Sequence, residues 1–366
     1  MSPTGQMLGH GLPVVLAAGL LLSAGLSRLA FAQHRWGIDH PGSQCRKLHL
    51  HQVPRLGGVA LFLAPSAAGC LLLVTQPQAA LWLLALAAIS LPCVIAGLWE
   101  DLTGRVSARM RLAGMAVSAG LLVSVQGIAI DRIGLEALES VVPFMWILSM
   151  LALLTITNGI NLIDGLNGLA GMSALLMYLT VGVVALQTGD PLIASCALIL
   201  AGSMGGFLVW NWPRSQLFMG DAGAYFTGFT LGALAIAVVQ RNAAISPWFA
   251  VLLLAYPLTE VAFTVWRRAT GRRRAIGSPD AMHLHHLVFR RVLASSLRAH
   301  RGICLSEARN ARASALLWCL PLGCCLLAAV AYAHTVVLVP GLLVFVVVYL
   351  RLYFRIAHFR TPRFPG

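Results

Sequence analysis

Charge is what this chain has least of. Asp, Glu, Lys and Arg make up 10% of its 366 residues, where soluble domains carry roughly 25%, so a water-soluble globule is excluded. Lysine is nearly absent, with Lys47 alone among 25 arginines. Acidic residues number only twelve. The eight cysteines form no CxxC pair, and Cys70, Cys93, Cys196, Cys319, Cys324 and Cys325 sit inside apolar runs. They read as small buried hydrophobes rather than disulfides or zinc ligands. Met1 to Gly11 contains no Lys or Arg, so the basic start of a cleaved signal peptide is not expected.

What the chain has in abundance is apolar runs, at 58% hydrophobic residues. Stretches of about 20 apolar residues recur from end to end, the mark of an all-α polytopic membrane protein. The expectation is eleven transmembrane helices, near 12–32, 56–74, 79–98, 112–130, 141–157, 166–186, 191–210, 222–239, 247–266, 314–333 and 335–350. With the N-terminus outside and the C-terminus cytoplasmic, 24 of the 26 Lys and Arg residues fall on the inner side, leaving Arg132 and Arg241 outside. So one-sided a partition orients the chain by the positive-inside rule. The net charge of +14 then reflects topology and anionic headgroups, with no need for nucleic acid. Residues 1–366 read as one membrane-embedded domain, with 267–313 as its large cytoplasmic loop.

The acids are sorted as well. Asp131, Glu136, Glu139 and Asp190 lie in short outer loops, and the other eight map to the inner face. Carboxylates at a membrane edge are costly and by default functional, which directs attention to five inner segments. The first runs from Asp39 through Arg46, Lys47, His49 and His51 to Pro54-Arg55-Leu56-Gly57-Gly58. Keeping one ammonium where arginine is otherwise universal suggests a site that needs a compact point charge. The second places Glu100 and Asp101 at the end of an apolar helix, ahead of Arg105, Arg109 and Arg111. Adjacent carboxylates there suit a divalent metal or a phosphate nucleophile; a salt-bridged helix end is the plainer reading.

The third segment repeats polar residues at every third position: Asn158, Asn161, Asp164 and Asn167, the last two each followed by a glycine, Gly165 and Gly168. On one straight helix these would not share a face, so a broken helix lining a cavity is expected. In the fourth, Asp221 opens a span between Gly220 and Gly223. It is either a helix N-cap or a ligand for a hard cation such as Mg²⁺. The fifth carries Glu260, a series of arginines, Asp280, and His283, His285 and His286. Imidazoles among guanidinium groups make a poor zinc site and a better anion clamp.

Together these segments resemble the polyprenyl-phosphate N-acetylhexosamine-1-phosphate transferases, the WecA/MraY-like glycosyltransferase family 4, across roughly residues 35–290. The His-x-His-His form is closer to the WecA-type branch. The resemblance implies transfer of a sugar-1-phosphate from a UDP-N-acetyl sugar to polyprenyl (undecaprenyl) phosphate, releasing UMP. Such a step would start a lipid-linked envelope glycan such as O-antigen, at the cytoplasmic face of a bacterial inner membrane. It implies Mg²⁺, with Mn²⁺ as the alternative ion, on Asp221 and Asn161. Glu100, Asp101, Asp221 and Lys47 would be catalytic. Asn158, Asp164, Asn167, Arg46, His49, His283, His285 and His286 would bind substrate. Glu100 stands where the family usually has Asp, and Glu260 where it often has Asp. A homodimer is one assembly compatible with this reading. The rival classes are a secondary transporter with intramembrane acids and a zinc-dependent membrane hydrolase.

Overall fold

The computed structural model describes residues 17, 19–29, 38–39, 53–270, 282–292 and 303–358. The helices α1 (Gly19–Leu29), α2 (Gly57–Leu72), α3 (Pro77–Thr103) and α4 (Ala108–Val125) are followed by the single turn α5 (Glu136–Glu139). Next come α6 (Val142–Ile163), α7 (Leu169–Gln187), α8 (Pro191–Asn211) and α9 (Gly220–Arg241). The chain continues through α10 (Pro247–Leu253), α11 (Ala255–Thr270) and α12 (Leu284–Leu287), the last running into a π-helical turn at Val288–Val292. It closes with α13 (Ile303–Leu317), α14 (Cys319–Ala331) and α15 (Thr335–Ala357). A short antiparallel ribbon pairs β1 (Ile38–Asp39) with β2 (Val53–Pro54), Ile38 opposite Pro54 and Asp39 opposite Val53.

The helix boundaries follow local chemistry. Proline opens α3, α6, α8 and α10 in the first turn, where a missing N–H costs nothing. Gly104, at φ +63°, ends α3, and the Ser107 hydroxyl accepts the Met110 N–H at 3.2 Å to start α4. Eight helical stretches among the described residues are long and apolar enough to cross a membrane, and the α10–α11 pair, bent by 73°, makes up to nine. The protein is therefore a polytopic helical membrane protein, and these stretches fall on nine of the eleven expected runs. The apolar helices α1 and α2 lie on the other two, with 11 and 16 described residues.

Two smaller expectations meet the structure here. The polar segment interrupts the helix as expected, between Ile163 and Leu169. α6 is continuous to Ile163, with Asn158 and Asn161 in its last turns, and the chain reverses through Asp164–Gly168 into α7. The glycines serve that reversal, and Gly168 has φ +73°. Cys93, Cys196, Cys324 and Cys325 are buried as expected, whereas Cys70 and Cys319 are exposed on the isolated chain.

α9 is the axis of the molecule. The whole apolar stretch of this helix is buried, and it packs on α2, α3 and α6. Small residues make that possible, as in membrane helices generally. A Cβ on Gly58 would stand 2.4 Å from the Gly223 nitrogen, one on Gly97 2.6 Å from the Ala222 nitrogen, and one on Gly228 2.6 Å from the Thr157 Cα. At one end of the bundle, Asp190 caps α8 and pairs with Arg241 at 2.6 Å. Arg132 donates there to the carbonyls of Val239, Asn242 and Ala243. In the loop between α4 and α6, Glu139 accepts the N–H groups of Ile133 and Gly134, which hold its carboxyl below the usual range. At the other end the starts of α2, α4 and α9 meet the ends of α3 and α6.

Gly97→Ala forces a methyl into the backbone of α9 and should destabilise the protein by about 1–3 kcal/mol. Gly120→Ala, whose methyl meets only the Met150 side chain at 3.6 Å, should be neutral or slightly stabilising. Thermal unfolding of the two variants in detergent distinguishes them.

Candidate active site

Building upward from the helix ends, the first fixed point is Asp101. It lies in the last turn of α3 and is 6% exposed. Its Oδ1 accepts the Asp221 N–H at 2.9 Å and its Oδ2 the Ala222 N–H at 3.0 Å. The first N–H groups of a helix have no partner within it and carry partial positive charge. A carboxylate from another helix fills that role here, and Asp221 is not its own helix's cap. Gly220 adopts φ +71°, and a Cβ there would stand 2.5 Å from the Asp101 Oδ2 and 2.7 Å from the Arg55 carbonyl. The Gly-Asp-x-Gly sequence is thus what lets α3, the Arg55 backbone and the start of α9 come together.

Asp221, freed from capping, projects its carboxylate outward from the first turn of α9. Oδ2 accepts from Arg111 Nη1 at 2.7 Å and from the Tyr225 hydroxyl at 2.8 Å, and Oδ1 accepts from the Asn161 amide at 3.0 Å. The carboxylate is partly exposed, so these groups line an accessible point rather than a sealed core. Arg111 and Tyr225 were not singled out from sequence. Tyr225 follows Asp221 by four residues, which on a helix places both on one face, and that spacing was the available signal. Arg111 had none beyond its place in the second inner segment.

The adjacent acids part company. Glu100 is half-buried, and its Oε2 accepts the Val106 N–H at 2.8 Å, bracing the α3–α4 turn. Asp164 follows the last residue of α6. Enclosure by protein and the nearby Asp221 charge push its carboxyl up to about 7, while Arg55 opposes the shift. Its side chain still keeps some exposure. Asn158, one turn back, donates to the Leu154 carbonyl at 3.0 Å and to the Met115 sulfur at 3.3 Å, toward α4. Asn167 is buried, its N–H held by Asn310 at 2.8 Å and its amide donating to the Pro213 carbonyl at 3.3 Å. Asn211 and Trp318 grip the neighbouring Gly168. Asn211 and Asn310 thus position the turn; neither was marked by any sequence motif.

The imidazoles reach the same region from α12. His285 is fully buried and seats on Gly165, where a Cβ would lie 2.2 Å from its Nε2. His283 and His285 stack at 5.6 Å with an interplanar angle of 3°, and His285 lies 4.1 Å from His286. His283 Nδ1 meets Glu260 Oε1 at 3.0 Å. Arg46, Lys47 and His49 fall outside the described residues, but the ribbon from which their loop departs is rooted at the site. The Phe218 N–H donates to the Pro54 carbonyl at 2.9 Å, and the Gly57 N–H to the Phe218 carbonyl at 3.0 Å.

The family model described as Glycosyl transferase family 4 matches residues 82–239, which contain the second, third and fourth segments. The chain is similar to the probable undecaprenyl-phosphate N-acetylglucosaminyl 1-phosphate transferase of Bacillus subtilis, 29% identical over 68% of this chain and 68% of the relative. It is 30% identical to the decaprenyl-phosphate N-acetylglucosaminephosphotransferase of Mycolicibacterium smegmatis, over 66% of each chain. It is also 30% identical to the undecaprenyl-phosphate alpha-N-acetylglucosaminyl 1-phosphate transferase of Haemophilus influenzae, over 70% of this chain and 73% of the relative.

Asp101→Ala leaves two buried N–H groups without an acceptor, each costing about 1–3 kcal/mol. Its thermal unfolding should therefore fall well below that of Glu100→Ala, which loses one half-buried bond worth about 1 kcal/mol.

Proposed function

Because the chain belongs to glycosyl transferase family 4, the polyprenyl-phosphate N-acetylhexosamine-1-phosphate transferases, we propose that it moves N-acetylhexosamine-1-phosphate from a UDP-sugar onto a polyprenyl phosphate. The observation that carries this reading is the convergence on Asp221. Polar groups from α3, α4, α6 and α9 meet at one end of the bundle, with the histidine segment seated on the turn after α6. A nucleotide diphosphate approaching from water and a lipid phosphate approaching from the bilayer would both reach such a place. A transporter would set its acids near mid-membrane, whereas Asp101, Asp164 and Asp221 stand at helix ends.

The donor set suits Mg²⁺. No group of three His, Cys, Asp or Glu converges as a cage among the described residues, and Mg²⁺ characteristically takes one or two carboxylates together with phosphate oxygens and waters. Asp221 would supply the carboxylate and Asn161 an amide oxygen, since amide rotation exchanges its nitrogen and oxygen. When bound, the ion would neutralise charge on the phosphate oxygens.

The remaining work falls to the protein's own groups. Arg111, released from Asp221 or shared with it, would hold a phosphate oxygen, and His283, His285 and His286 would receive the pyrophosphate. Arg46, Lys47 and His49 would add positive charge. An oxygen of the lipid phosphate attacks the β-phosphorus in line. The bond from that phosphorus to the bridging oxygen breaks, and UMP leaves with the oxygen. A phosphate monoester has its second pKa near 6, so the nucleophile is already largely ionised and no strong base is required. Asp101, committed to two N–H groups, then serves by aiming Asp221. The reaction would initiate a lipid-linked envelope glycan, O-antigen among the candidates, on the cytoplasmic face of a bacterial inner membrane.

Membranes given a UDP-N-acetyl sugar and undecaprenyl phosphate should release UMP and form a diphosphate-linked lipid; release of UDP would refute the assignment. In the same assay Asp221→Asn should remain folded, lose roughly two orders of magnitude or more in rate, and need more Mg²⁺ for what remains. Wild-type turnover at the wild-type Mg²⁺ requirement would remove Asp221 from the site. Orientation is tested separately. A cysteine tag at 280 or at the C-terminus should label only after permeabilisation, and one beside Glu136 should label from outside; the reverse pattern would overturn the topology.

A further inference from the structure

The last helix lies outside the residues matched by the family model, and it is the most peripheral of the long spans, with 17% of its apolar stretch buried. It nevertheless meets the histidine segment at two points. Upstream, the hydroxyl of Tyr349 on α15 donates to Glu260 Oε2 at 2.5 Å. The other oxygen, Oε1, faces His283 Nδ1 at 3.0 Å and accepts the Leu284 N–H at 3.3 Å. Downstream, Arg291 in the π-helical turn donates to the carbonyls of Ile356, at 3.0 Å, and Ala357 at the end of α15. Tyr349, Glu260 and His283 are all buried. Phe263 packs edge-on against Tyr349 at 5.9 Å and against Tyr353 at 4.5 Å, which locks the ring from the α11 side.

We propose that Tyr349 is a positioning residue for the reaction, acting through Glu260 to hold His283 with its proton on Nδ1 and its Nε2 available to substrate. The chemistry of the carboxylate dictates the tautomer. Glu260 meets a phenol O–H, a backbone N–H and an imidazole nitrogen, and an ionised carboxylate can only accept. Facing the ionised form of that carboxylate, the imidazole nitrogen turned toward it is the protonated one. A carboxylate holding the distal nitrogen of a working imidazole is a recurrent means of fixing ring orientation and tautomer. Here the carboxylate is itself held by a hydroxyl from a different helix. Thr264 Oγ1, at 3.5 Å from the same nitrogen, is the weaker neighbour. The placement of the first imidazole in the motif thus depends on the last transmembrane helix.

The proposal rests on the reading of His283 as a pyrophosphate contact, and its test separates the two. In ¹⁵N-histidine spectra of the detergent-solubilised protein, with the His283 signal assigned by its loss in His283→Asn, neutral His283 should show a protonated Nδ1 and an unprotonated Nε2. Tyr349→Phe keeps the ring and removes only the hydroxyl. It should shift that signal toward mixed tautomers and raise the KM for the UDP-sugar by about tenfold, leaving the KM for polyprenyl phosphate within twofold. A wild-type Nε2-protonated signal would overturn the proposal without any variant. So would a folded Tyr349→Phe protein with an unchanged signal and unchanged KM values, or one whose only change is an equal loss toward both substrates. If the wild-type protein releases no UMP from a UDP-sugar, the transferase reading fails, while the spectra still decide whether Tyr349 sets the tautomer of His283.

Discussion

The interaction on which the site depends is the carboxylate of Asp101 across the second and third N–H groups of α9. A helix that begins inside the protein cannot leave those groups to water, and the positive end of its dipole attracts an anion. Supplying that anion from α3 frees Asp221 for other work. It also ties α3 to α9 beside the close approaches that Gly97 and Gly220 allow. Removing the carboxylate would take away the cap and the aim of Asp221 at once.

The two ends of the bundle use charge differently. Away from the site, Arg132 and Arg241 are consumed by carbonyls just past the end of α9 and by Asp190, and Glu139 by loop N–H groups. Those charges close helix ends. At the site, Asp221 is met by Arg111, Asn161 and Tyr225 yet keeps access to solvent. Such contacts can be exchanged for a phosphate or a cation without opening the fold, because the backbone beneath them is held by Asp101 and not by Asp221.

Around this centre the polar residues fall into two kinds of work. Asn167, Asn211 and Asn310 hold the reversal after α6, and Glu260 with Tyr349 holds the first imidazole. Gly165 lets His285 settle against that same reversal. The histidine segment is thereby braced by α11, by α15 and by the α6–α7 turn together, so its geometry is a property of the whole bundle rather than of a loop.

Helical class, repeated membrane crossing and the gathering of acids at one end were all legible in the sequence, because hydrocarbon admits only long apolar helices and because arginine is partitioned so unevenly between loops. The five polar segments were legible for the same reason, since charge at a membrane edge stands out against an apolar background. Sequence could not say that Asp101 caps a helix 120 residues away while its neighbour Glu100 braces a turn, because adjacent helical residues point about 100° apart and only packing decides what each meets. It placed an interruption in the polar segment but not its bounds, Asp164–Gly168, since periodicity reports faces and not where a helix stops. Asn211, Asn310 and Tyr349 carried no signal at all: each is an ordinary residue on its own helix, and it acquires its role only when a distant segment is folded against it.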